Sequence, residues 1–301
     1  MIRVLVVIGP TAVGKSQVGI QLAQQYNGEI ISGDSIQVYR QLNIGSAKVS
    51  KEQQKMVVHH LIDTKDISEN YHVAAFQNES RKIISELNKN AKLPIIVGGT
   101  GLYIKAALYD YQFNEEEKLD FKLESLTNEQ LKFKLTNIDP QTAEIIHINN
   151  RKRLLRALQM AMSGNKRSDV LAKQAKEPIY DCLLIGLTCQ RDILYQRIES
   201  RIDTMIKEGL FEEVDELYQN DHALFDYQAL QAIGYREWRD YYQNKFDKEV
   251  IVNNIKLHTR QFAKRQYTWF NNQLPVKWFD INDDTFMSNI HKEVKEWLNN
   301  G

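Results

Sequence analysis

Residues 9–16 read Gly-Pro-Thr-Ala-Val-Gly-Lys-Ser and satisfy the pattern G-x-x-x-x-G-K-[ST] at every fixed position. Glycines in such a loop let several backbone N–H groups converge on anionic oxygens, and the helix that follows adds partial positive charge at its N-terminus. Lys15 contributes a mobile cation, and the Ser16 hydroxyl is placed to reach a Mg2+ shared with the phosphates. The context is the one this chemistry needs: the apolar run Val4–Ile8 precedes the loop, and an amphipathic stretch carrying Val18, Leu22 and Tyr26 follows it. Gly9, Pro10, Thr11, Ala12, Val13, Gly14, Lys15 and Ser16 are therefore expected to cradle a di- or triphosphate.

The reaction that follows is less automatic. Phosphoryl-transfer enzymes with this loop usually carry a Mg2+-organising Asp at the end of a neighbouring apolar strand. Here the best such strand runs into Gly98-Gly99-Thr100-Gly101, with glycines at that place, and the weaker His60–Asp63 run is the alternative. Asp34 lies just past the second apolar run, at the rim where open α/β sheets bind ligands. It reads as a metal-ordering carboxylate, a general base, or the N-cap of a helix beginning at Ser35. The Gly98–Gly101 turn shares that rim and allows close approach of a ligand. Gln231–Glu237 reads as a helix-packing segment. Lys256–Phe270 has four cations, Lys256, Arg260, Lys264 and Arg265, no acid, and several aromatics. At helical spacing its cations fall on both sides, which suits a helix packed on one side and facing polyanion on the other. Arg153 and Arg156, three apart, form a second basic surface.

These residues need a scaffold, and the pattern supplies one. Strand-length apolar runs at Val4–Ile8, Glu29–Ser32, Pro94–Val97, Cys182–Leu187 and Val276–Asp280 alternate with helical-period stretches. That rhythm predicts an α/β fold with a parallel sheet flanked by helices. The acidic stretch with Glu115, Glu116 and Glu117, followed by the acid-free basic stretch Arg151–Arg167, marks 112–178 as a helical insertion. Residues 1–111 and 179–301 then form the α/β core with its C-terminal helices, and the chain from Arg191 to Asn272 reads as almost wholly helical. With 43% hydrophobic and 26% charged residues the chain is globular, and 39 basic against 39 acidic residues exclude a protein that coats nucleic acid by bulk charge. No apolar run approaches the roughly 20 residues of a membrane span, and the N-terminal stretch does not read as a signal peptide. Two cysteines, Cys182 and Cys189, exclude a disulfide framework, fit a reducing cytosol and read as buried thiols.

Taken together, the segments GPTAVGKS at 9–16, SGDSIQVYR at 32–40, NIGSAKVS at 43–50, HHLID at 59–63 and GGTGLYIKA at 98–106 resemble the tRNA dimethylallyltransferases, or tRNA isopentenyltransferases. The likeness continues through NNRKRLLRAL at 149–158, RIDTMIKEGLFEEV at 201–214, QAIGYRE at 231–237 and TRQFAKRQYTWF at 259–270, in family order along nearly the whole chain. Two departures are a short insertion and Gly45-Ser46-Ala47-Lys48-Val49 where the family usually has Gly-Thr-Ala-Lys-Pro.

The resemblance implies transfer of the dimethylallyl group of dimethylallyl diphosphate to N6 of adenosine 37, beside the anticodon of tRNAs reading codons that begin with U. It implies a P-loop core with a helical insertion and a C-terminal helical region that contact tRNA, Mg2+ as cofactor, and a monomeric cytoplasmic enzyme. Asp34 becomes the general base. Thr11, Lys15 and Arg201 face the diphosphate, Ser16 the metal, and Thr100 orders the adenine. Asp34, Ser35, Ile36, Gln37 and Thr100 line the entry of the base. Arg153, Arg156, Gly234, Tyr235, Arg236, Arg260, Lys264 and Arg265 are the expected tRNA contacts. A P-loop small-molecule kinase and an RNA-docking nucleotide-binding module remain the competing readings.

Overall fold

The computed structural model describes residues 1–111, 113, 121–169 and 177–300. Glu115–Glu117 of the acidic run lie outside the described residues.

Six parallel strands are described: β1 Arg3–Ile8, β2 Gly28–Gly33, β3 His59–His60, β4 Leu93–Gly98, β5 Asp181–Thr188 and β6 Lys277–Asp280, in the order β3-β2-β4-β1-β5-β6. Val4 to Ile8 of the central β1 are fully inaccessible. Burial on both faces is why this strand reads as an unbroken apolar run and not as an alternating one. The register carries the functional consequence. Ile8 of β1 and Gly33 of β2 both pair with Gly98 of β4. The three loops that leave these strands at residues 9, 34 and 99 therefore emerge side by side from one edge of the sheet.

Helices α1 Lys15–Gln25, α2 Lys51–Met56, α3 Val73–Lys89 and α4 Gly101–Leu108 connect the first strands. The chain folds as two compact units, Met1–Leu108 with Ile179–Gly301, and Tyr109–Pro178. The second unit contains α5 Phe121–Glu124, α6 Asn128–Ile138, α7 Pro140–Ile145 and α8 Arg151–Met162. A capping box of Thr127 with Gln130 starts α6, and Asn150 caps α8. Leu131, Leu135, Leu154, Ala157 and Leu158 give it an apolar core of its own. Helix α8 ends at Met162 and the chain turns at Gly164 (φ +82°), a left-handed conformation that glycine takes without a Cβ penalty.

After β5 come α9 Arg191–Lys207, α10 Leu210–Asn220, α11 Trp238–Tyr242, the 26-residue α12 Lys248–Gln273 and α13 Phe286–Asn299. The almost wholly helical stretch expected from Arg191 to Asn272 is interrupted between α10 and α12. Two short 3-10 pieces, Leu224–Asp226 and Gln228–Gln231, lead into a turn at Gly234 (φ +97°) before α11. Gly234 and its neighbours thus break the helix that apolar spacing alone predicts, and the segment is a turn, not a packing helix. The two cysteines are half-buried and unpaired; burial pushes the Cys182 thiol up to about 12. Among the described residues no helix is long and apolar enough to cross a membrane.

Candidate functional site

The P-loop begins with a backbone that only glycine tolerates. Gly9 has φ +147°, and a Cβ there would stand 2.5 Å from the Leu187 carbonyl oxygen of β5. Ala12 is also left-handed (φ +68°), and the Arg197 guanidinium of α9 holds its carbonyl at 2.9 Å. Helix α1 is N-capped by Gly14 with no side-chain acceptor on its first amides. Those N–H groups are an open donor set for an anion. Lys15 Nζ meanwhile donates to the Pro10 carbonyl of its own loop at 2.7 Å.

Positive charge is concentrated beside this loop. Burial, and next the nearby Arg201 guanidinium, lower the Lys15 pKa to about 7, while Asp34 opposes the shift. Arg201 is likewise pulled down by burial and supported by Asp34. Two cations desolvated around one carboxylate leave a local excess that an anionic ligand relieves.

Asp34 does not cap a helix, because none starts at Ser35. Its Oδ1 accepts from the amides of Ile36 at 2.8 Å and Gln37 at 3.4 Å, closing an Asx turn. Its Oδ2 accepts no hydrogen bond among the described residues. Across the rim, Thr100 Oγ1 accepts from the Ser35 amide at 3.3 Å, tying the turn after β4 to the turn after β2.

Asp34 lines two neighbouring cavities, as do Thr11 and Arg201. The first, about 1110 Å³, is lined by Thr11, Lys15, Ser16, Asp34 and Arg201. The second, about 600 Å³, is lined by Thr11, Asp34, Ser35, Ile36, Thr100 and Arg201, together with Gly234, Arg236, Phe262 and Arg265. Tyr39, Tyr71 and Tyr103 form part of its lining, and burial raises the pKa of all three above the ordinary tyrosine value. Gln37 lines the first cavity and not the second. The first space thus carries the P-loop with Lys15, and the second carries three tyrosines and Phe262, with Asp34 and Arg201 lining both.

Several expected residues are placed differently. Tyr235, expected at a tRNA surface, is fully inaccessible. Its hydroxyl donates to Glu213 at 2.8 Å and accepts from the Ser46 amide at 3.1 Å, and a Cβ on Gly45 would strike its ring. It shapes the 43–47 loop and has no face for a base to stack on. Arg260 is ion-paired with Glu199 of α9, and Lys256 with Asp203 at 2.5 Å, so both cations serve helix packing. Lys264 and Arg265 are exposed. Asp63, the alternative metal carboxylate, is held by Lys48 at 2.6 Å and Lys51 at 2.7 Å. Arg153 and Arg156 are exposed on α8, in the other unit.

Two residues escaped the sequence reading. Glu213 accepts from the amides of Asn43, Ile44 and Gly45 as well as from Tyr235, so one carboxylate organises a loop lining both cavities. Gln266, 6% exposed, accepts from the Thr11 amide and donates to the Gly99 carbonyl, each at 2.9 Å. The glycines after β4 serve this packing: a Cβ would lie 2.3 Å from Gln266 Nε2 at Gly99 and 2.2 Å from the Trp269 ring at Gly101. A polar residue amid a basic helix carries no spacing signal, and neither does one acid among several on α10.

The chain is similar over nearly its full length to proteins of one kind. It shares 45% identity over 300 residues with a tRNA dimethylallyltransferase of Anoxybacillus flavithermus, covering 98% of this chain and 96% of that protein. The crystal structure of the full-length tRNA isopentenylpyrophosphate transferase of Bacillus halodurans superposes with TM-score 0.75 at 40% identity, over 99% of this chain and 97% of that one. A eukaryotic dimethylallyltransferase caught acting on tRNA gives TM-score 0.85 at 31% identity, over 98% of this chain and 79% of the other. The IPP transferase family model matches residues 37–273, a range that starts beyond the P-loop and Asp34 and takes in Thr100, Arg201 and all of α12 as far as Gln273. With relatives this similar at both ends and a family match through the middle, the chain belongs to the IPP transferase family.

Proposed function

We propose that the two cavities divide the labour of one transfer, from dimethylallyl diphosphate to N6 of adenosine 37 beside the anticodon of tRNAs reading codons that begin with U. The diphosphate occupies the first cavity against the amides of residues 11–16, with Lys15 and Arg201 on its oxygens and the Thr11 hydroxyl beside it. The adenine, extruded from the anticodon loop at a cost of about a few kcal/mol, enters the second between Ser35, Ile36 and Thr100. The single observation that carries this reading is the position of Asp34 on the wall common to both spaces.

The allylic C1–O bond breaks and its electron pair leaves with the diphosphate. The N6 lone pair forms the new bond to C1, and the N6 proton passes to the Asp34 carboxylate. An exocyclic adenine amine is a weak nucleophile because its lone pair is delocalised into the ring, so a base aimed at its proton matters. Lys15, Arg201 and the loop amides stabilise charge that grows on the departing oxygens. Mg2+ suits the site: the Ser16 hydroxyl lines the first cavity beside the loop amides, a hard oxygen donor that leaves the remaining positions to phosphate and water. Bound there, the ion would neutralise leaving-group charge.

Lys264 and Arg265 on α12, with Gly234 and Arg236 of the second cavity's lining, are the proposed contacts to the anticodon arm, and Arg153 and Arg156 add a further basic surface. The enzyme is proposed to act as a monomer in the cytoplasm. Incubation with radiolabelled dimethylallyl diphosphate and total tRNA tests the reading. Label in RNA, recovered as dimethylallyladenosine on digestion, is expected. Turnover of ATP with no label in RNA would overturn it in favour of a small-molecule kinase.

A further inference from the structure

Gln266 is buried in the C-terminal part of α12, one residue after Arg265 and two after Lys264. Its amide oxygen accepts from the Thr11 amide of the P-loop and its amide nitrogen donates to the Gly99 carbonyl of the turn that carries Thr100, both at 2.9 Å. No other side chain among the described residues bonds both of these loops. The contact is also tight. Gly99 and Gly101 lack the Cβ atoms that would push α12 away, and the Trp269 ring rests on Gly101.

We propose that Gln266 is a positioning residue for the transfer: it fixes the distance between the phosphate cradle and the adenosine-side turn, and ties both to the basic helix α12. This rests on the reading of the two cavities given above. The physical ground is the sensitivity of a displacement to the alignment of its partners. The leaving group is held by the loop that begins at Thr11, and the acceptor is ordered by Thr100, one residue beyond Gly99. A misplacement of about 1 Å between two such halves costs roughly a hundredfold in rate. A primary amide is suited to this bridge, since it accepts on one side and donates on the other without charge.

Three substitutions separate positioning from mere support. Gln266→Leu removes both bonds at similar volume. It is expected to lower the single-turnover rate per folded site by about tenfold to a hundredfold, with the tRNA KM within about threefold of wild type, because Lys264 and Arg265 remain. Gln266→Glu keeps the acceptor but regains the donor only when its carboxyl is protonated. Its rate relative to wild type is therefore expected to rise as pH falls from 8 to 5.5. Lys15, Arg197, Asp34 and Arg265, the charged groups on the elements around it, are common to both proteins, so the ratio isolates the introduced carboxyl. Gln266→Met serves as a second apolar control should the leucine protein not fold. A folded apolar variant with wild-type rate, or a Gln266→Glu loss that is the same at every pH, overturns the proposal. Inorganic pyrophosphate binding to the same proteins reads the cradle half whichever group is transferred. Weaker binding in the apolar variants by about threefold or more is expected, and unchanged binding sinks that half.

Discussion

Lys15 and Arg201 are cations whose burial is opposed by one carboxylate, and their behaviour follows from that imbalance. In the ligand-free protein Lys15 titrates near 7, well below its ordinary value of 10.5. A folded-state pKa below the unfolded one means the unfolded chain binds more protons between these limits, so the Lys15 contribution to stability improves as pH rises from about 7 towards 10.5. A bound diphosphate restores the charge. Near pH 8 binding should take up about one proton more in the wild type than in Lys15→Met, a difference that removes the ligand's own titration. Calorimetry in two buffers of unlike ionisation enthalpy measures it, and equal uptake in the two proteins refutes the assignment. Asp34→Asn separates base from cradle. The single-turnover rate is expected to fall by about 10² to 10⁴. Pyrophosphate should bind as tightly or more so, since Asp34 is the negative group beside the cradle; a near-normal rate would remove Asp34 as the base. That such a carboxylate sits at the sheet rim was legible from Ile30–Tyr39. Its Asx turn was not, because a cap and a turn use the same side-chain oxygen and the same following amides.

Helix α12 shows how far a charge pattern can be read. The acid-free run made a helix facing polyanion a fair expectation, and the helix is there. Which cations face outward could not be read, because Glu199 and Asp203, which bind Arg260 and Lys256, lie on α9 far away in sequence. This separates the cations experimentally. Lys264→Ala and Arg265→Ala should each flatten the dependence of log Kd for an anticodon stem-loop on log salt by about 0.7, the value for one phosphate contact to a single strand. Arg260→Ala should leave that slope unchanged while lowering Tm, since it breaks a pair between helices. Equal slopes for all three variants would remove α12 as the tRNA-facing element.

At the scale of the whole molecule, the chain leaves the α/β unit and returns to it at neighbouring residues. Ile179 donates to the Leu108 carbonyl at 2.8 Å, and Tyr109 bridges Pro178. The ends of the excursion are therefore adjacent, and Tyr109–Pro178 has its own apolar core. Replacing 110–177 by a short Gly-Ser linker should leave a folded α/β unit that binds pyrophosphate with wild-type affinity. Binding of the anticodon stem-loop should weaken, as Arg153 and Arg156 go with the deleted unit. A deletion protein that binds the stem-loop as tightly as wild type would exclude this unit from the tRNA surface.

What could be told from the linear chain is whatever depends on neighbours a few residues apart. The P-loop, the central parallel strands with both faces buried, the insertion and the basic helix are all of this kind, because local backbone preference and apolar period specify them. What depended on folding is everything made by residues distant along the chain. Strand register set Ile8, Gly33 and Gly98 level and so brought three loops to one rim. Long-range hydrogen bonds put Gln266 between Thr11 and Gly99, and Glu213 under the 43–45 loop. Burial turned Tyr235 inward, where the family resemblance had made it a tRNA contact. Such contacts arise from packing geometry, which leaves no periodic trace in the order of the amino acids.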